Sequence, residues 1–94
     1  MVMTTLCVRN IVVVKYELNK KKVLHYLGVI QQVNEDNVFV QFMKRSGEKT
    51  FSIKEGDMDQ IYMNYIVMKV SSEVSVNSRG QYILKENLPM ALNM

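Results

Sequence analysis

Residues Val8 to Tyr16 read VRNIVVVKY, a stretch dominated by β-branched side chains. Such side chains lose rotamer freedom in a helix and pack well on a pleated surface, so the run is a strand. Successive strand residues point to opposite faces. Val12, Val14 and Tyr16 then share one face and Ile11, Val13 and Lys15 the other. With both faces largely apolar, this strand expects cover on both sides over part of its length.

The same period of two continues downstream. In Val23–Val33, Leu24, Tyr26, Gly28 and Ile30 point one way, and His25, Leu27, Val29 and Val33 the other. A glycine inside a strand marks a bend or a close backbone approach, which a small barrel needs in order to curl. Asn34-Glu35-Asp36-Asn37 is a turn by its chemistry, because Asn and Asp bond their own backbone. Val38, Val40 and Phe42 next alternate with Phe39, Gln41 and Met43. Ser46-Gly47 turns the chain again, into a strand from Thr50 to Ile53 with Phe51 and Ile53 inward.

At Asp57 the period changes. Met58, Ile61, Tyr62, Tyr65 and Ile66 fall at helical spacing, with Asp57 as N-cap and Gln60 three residues on. One or two helical turns are expected over 57–65, then a strand from Ile66 to Val70. Ser71 to Ser78 reads as loop, Arg79-Gly80 as a turn, and Gln81 to Leu84 as a last short strand. Pro89 closes the ordered chain, and a frayed tail is expected at 90–94. The division that follows is an N-terminal extension 1–7, a barrel 8–84 and a tail 85–94.

Composition bounds the chemistry. Ninety-four residues with 48% hydrophobic content suit one core. Twelve basic residues against nine acidic give a net charge of +3, so Lys20, Lys21 and Lys22 equal the whole positive excess. A single cysteine, Cys7, excludes an intrachain disulfide and a thiolate metal cluster, and it reads as a small buried hydrophobe. The run Ile11 to Val14 is far too short to span a bilayer, which needs about 20 residues. The first residues lack the pattern of a signal peptide. An intracellular setting without membrane contact is expected.

No constellation for catalysis is visible. His25 has no partnered nucleophile within a recognisable motif, and Glu55, Asp57 and Asp59 lack the regular alternation of a calcium loop. No phosphate loop or paired-histidine motif is present. The expectation is a non-enzymatic chain with no metal, no cofactor and no catalytic residue.

A four-strand meander, a helical turn and a closing strand form the layout of small Tudor-like barrels. VVVKYELNKKKVLHYLGVI resembles the opening of such modules, VFVQFM their third strand, and YIVMKV and RGQYIL their closing segments. Together they resemble a domain at the C-terminal ends of transposon-derived, transposase-like proteins of insects and other invertebrates. The resemblance covers roughly residues 8 to 84. It implies an all-β, five- to six-stranded barrel that serves as an accessory interaction module of a nuclear protein. Lys54 stands near a position where these domains tend to carry proline. His25, and Lys44 or Arg45, stand where reader Tudor domains place two aromatic walls of a methylated-residue box.

Two surfaces remain as candidates. Tyr62, Met63 and Tyr65 crowd one short stripe and cannot all be buried, and exposed aromatic and Met side chains favour protein interfaces. A free sheet edge offers strand addition to a partner or self-association into a dimer. Alternatively, Lys20, Lys21, Lys22, Lys44 and Arg45 at two hairpin tips could form one patch for weak, non-specific contact with DNA or RNA phosphates. The lysines equally suit a solvated tip that keeps an edge from pairing.

Overall fold

The computed structural model describes residues 6–19, 21–70, 74–85 and 87–93. The first strand expected from VRNIVVVKY is β1, Ile11–Asn19. It is followed by β2 (Lys22–Val33), β3 (Asn37–Arg45), β4 (Thr50–Tyr62), a 3-10 turn (Met63–Tyr65), β5 (Ile66–Lys69), β6 (Val74–Val76) and β7 (Tyr82–Leu84). All pair antiparallel in one sheet, in the order β5-β1-β2-β3-β4-β7-β6. The fold is all-β. The 3-10 turn carries the chain from β4 back to β5, which pairs with β1, and so rolls the sheet. β4 and β5 are not laddered to one another, so the barrel is not closed.

β1 is buried on both faces, as its apolar pattern requires. Val12 and Val14 join Ile30, Val38, Val40, Phe42 and Ile61 in an inner cluster, with Met63, Tyr65 and Ile66 packed against it. Ile11 and Val13 join Leu27, Val29, Met43, Phe51, Val70 and Leu84 in an outer cluster on the opposite face. The outer cluster is covered by the C-terminal part of the chain: Val74, Tyr82, Leu88, Met90 and Leu92 all pack on it. One sheet thus carries two cores, and β1 belongs to both.

Several expectations are corrected. No helix begins at Asp57, because β4 continues through that residue to Tyr62 and the helical turn shrinks to Met63–Tyr65. The cause is a bulge. Met43 pairs with Ile53 but Gln41 pairs with Met58, so two steps along β3 match five along β4. The three extra residues reverse which parity of β4 faces outward. Gly56, at φ 78°, supplies the left-handed turn inside the bulge. Gln41, buried on the facing strand, donates its side-chain amide to the carbonyls of Lys54 and Asp57, at 2.6 and 3.2 Å. It thereby holds backbone groups that the ladder leaves unpaired.

The serine-rich segment read as loop contains β6, while residues 71–73 lie outside those described. The tail is not frayed over 90–93: the backbone N–H of Asn93 donates to the His25 carbonyl at 2.8 Å, and its side chain accepts the His25 N–H at 2.9 Å. Met94 lies outside the described residues. Cys7 is exposed rather than buried, and its N–H is held by the Asn10 side chain at 2.8 Å.

Candidate functional site

The register of β3 and β4 decides which side chains meet outside the sheet. Phe39 pairs with Gln60, and Met58 and Tyr62 stand two residues to either side of Gln60. Residues spaced this way share a face, and diagonal neighbours are within reach of aromatic and long side chains. Tyr62 is 56% exposed and Met58 48%, while Phe39 is half-buried and belongs to neither core. The result is a mixed strip on the outer face of β3 and β4, in which Phe39, Met58 and Tyr62 alternate with Asn37, Gln41 and Gln60.

Of the three residues expected as a partner surface, Tyr62 is on this strip. Met63 and Tyr65 lie in the 3-10 turn, half-buried against the inner cluster. Tyr65 reaches a small cavity of 210 Å³ that also touches Tyr16, Asp59 and Tyr62. Phe39 and Met58 were not legible as site residues, because their proximity depends on a bulge whose length the sequence does not display.

The basic cluster is spread more widely. β1 and β3 run in the same direction, so both hairpin tips lie at one end of the sheet. Lys21 and Lys22 are exposed at the first tip, and Lys44 at the end of β3. Lys20 lies outside the described residues. Arg45 faces away from Lys44, as adjacent strand residues must. Its guanidinium sits 5.1 Å from the Phe51 ring centre and donates to the Glu48 carbonyl at 2.7 Å. Arg45 is thus committed to the outer core, apart from the lysines.

Tyr16, Tyr26 and Phe42 form an aromatic group at the rim of the inner cluster. Their ring centres are 5.6 to 6.2 Å apart, with Tyr26 meeting both other rings edge-on. Edge-to-face pairs of this kind contribute about 0.5–1.5 kcal/mol each. They border an open cavity of 320 Å³ whose rim holds Lys54 and Asp57, paired with each other at 3.6 Å. That ion pair leaves the rim without an uncompensated acid for a cationic ligand. Among the described residues, no group of His, Cys, Asp or Glu is placed to hold a metal ion. Among the described residues, no helix is long and apolar enough to cross a membrane.

The Tyr16 hydroxyl donates to Asp59 at 3.0 Å. Burial, and then the hydrogen bond to Asp59, push its phenol well above the ordinary value of 10.0. Because the folded state favours the neutral phenol, its contribution to stability is complete below about pH 10 and is lost as pH climbs further. The difference in unfolding free energy between wild type and Tyr16→Phe is therefore expected to shrink as pH rises above 10. Denaturant unfolding across that range, with the ultraviolet absorbance of tyrosinate, checks it. A difference independent of pH would remove this role of Asp59.

Comparison of the chain with protein-family models, curated proteins and solved structures finds no match.

Proposed function

We propose that this chain is a non-enzymatic protein-interaction module that binds a protein partner through the outer face of β3 and β4. One observation carries the reading. Half of the outer face is covered by β6, β7 and the tail, whereas the half bearing Phe39, Met58 and Tyr62 has no such cover among the described residues. Aromatic and Met side chains in an exposed group are the compositional mark of an interface core. The setting we propose, from the sequence resemblance, is an accessory domain of a larger transposon-derived nuclear protein.

Truncation of a Tyr anchor at an interface centre typically costs about 2 kcal/mol or more, roughly a thirtyfold loss of affinity. A Met58→Ser/Tyr62→Ser variant is expected to lose its partner in quantitative affinity capture from nuclear extract while keeping the wild-type unfolding midpoint. Lys21→Glu/Lys22→Glu, at the far hairpin tip, should retain it. Retention of every captured protein by the Met58/Tyr62 variant would remove the strip as the binding surface.

A further inference from the structure

β2 and β3 pair only from Gly28 and Phe42 toward the turn at 34–37. In the other direction they splay: Met43 to Arg45 pair with β4, while Lys22 to Leu27 keep β1 on one side and, among the described residues, no strand on the other. The splay leaves main-chain groups of β2 open to a further segment. In this chain the C-terminal tail supplies it, through the two hydrogen bonds between Asn93 and His25. Leu88, Met90 and Leu92 stand at alternate positions, with a bend at Pro89 and Met90 between them, and all pack on the outer cluster.

The seat is shallow. None of the three apolar side chains is fully buried, and residues 87–93 form no strand ladder. An open cavity of 310 Å³ remains between the tail, at Leu88, Met90 and Ala91, and the wall formed by Arg45, Phe51 and Leu84. A segment with few buried contacts belongs to the part of a domain that opens most readily.

We infer that the splayed edge of β2 and the outer cluster beside it form a docking groove for an apolar peptide segment of another protein, and that residues 87–93 occupy it in cis until such a segment displaces them. The resident tail defines the partner chemistry: a short bent segment, aliphatic side chains at alternate positions, and a terminal amide or similar group for the His25 main chain. Occupation in cis sets the threshold for entry, since a short tether gives an effective concentration on the order of millimolar. This groove is a different surface from the Tyr62 strip, so either reading can fail without the other.

The test uses the full chain with the tail loosened, Leu88→Ser/Leu92→Ser/Asn93→Ala, and a fluorescent peptide copying residues 87–93. Anisotropy is expected to show the loosened variant binding this peptide at least about tenfold more tightly than wild type, as removal of a cis competitor requires. A peptide with serine at the three apolar positions should bind neither. Bound peptide should also restore hydrogen-exchange protection at the His25 amide. A folded variant that binds no better than wild type overturns the proposal. So does a variant that fails to fold, since the tail would then be an integral part of the core and not an exchangeable occupant.

Discussion

Phe51→Ala is expected to lower the unfolding free energy by about 3–5 kcal/mol, the usual range for deleting a buried phenyl ring. Phe51 is 2% exposed and lies where β4, β7 and the tail meet: it pairs with Tyr82, and its side chain belongs to the outer cluster. Arg45 rests over its ring. The space beside it is already underfilled, so the added void would join an existing cavity and could admit water. That places the cost toward the lower end of the range. A domain of this size has a total stability on the order of 5–15 kcal/mol. The variant should therefore remain folded but marginal, with a much lower denaturant midpoint.

The two-core arrangement makes the same substitution informative about order of opening. Loss of Phe51 weakens the cluster under β6, β7 and the tail but touches none of Val12, Val14, Ile30 or Val40 inside the roll. Hydrogen exchange should then show protection falling first at Leu84, whose N–H is held by the Lys49 carbonyl, and at Asn93. The amides of β1 and β2 around Val12 to Val14 should follow only with global unfolding. Uniform loss across both groups would mean that the two clusters open as one unit.

How far the sequence discloses this molecule depends on where the strand period is undisturbed. β1 to β3 are readable because each apolar run from Ile11 to Met43 keeps a strand pattern, broken only by the two turns before Lys22 and at 34–37. The single extra residue near Gln31 is absorbed where β2 passes from Ile30 to Gln32. β4 is not readable past Ile53. Its three-residue bulge shifts the phase, and Met58, Ile61 and Tyr62 then mimic helical spacing although Met58 and Tyr62 face outward and Ile61 inward. β6 is short, serine-containing and at an edge, so it carries little apolar signal. Leu88, Met90 and Leu92 do alternate, but Pro89 masks the pattern as a chain terminator. Of the proposed interface, Tyr62 is visible from crowding alone. Phe39 and Met58 need the register, which is a property of two strands and not of either one.

Gly28→Ala is expected to destabilise by about 1–3 kcal/mol, as overpacking of a close-fitting core does. The argument is steric, since a methyl group at Gly28 would stand 2.2 Å from Cγ1 of Val40 and 3.2 Å from the Gln41 carbonyl oxygen. The first distance is impossible without movement. Val40 is fully buried and β-branched, so its side chain has no free rotamer to retreat into. The second contact is backbone, which cannot yield without opening the β2–β3 ladder at Gly28 and Phe42. That ladder ends at this point, where the two strands splay, so a forced separation would extend the splay into the inner core. Val40→Ala removes the clashing methyl and should relieve part of the cost. In a double-mutant cycle the combined loss is expected to fall short of the sum of the single losses by about 0.5–3 kcal/mol, the range seen for residues in direct contact. Strict additivity would mean that Gly28 is required for strand curvature alone, and that the proximity of Val40 contributes nothing to its selection.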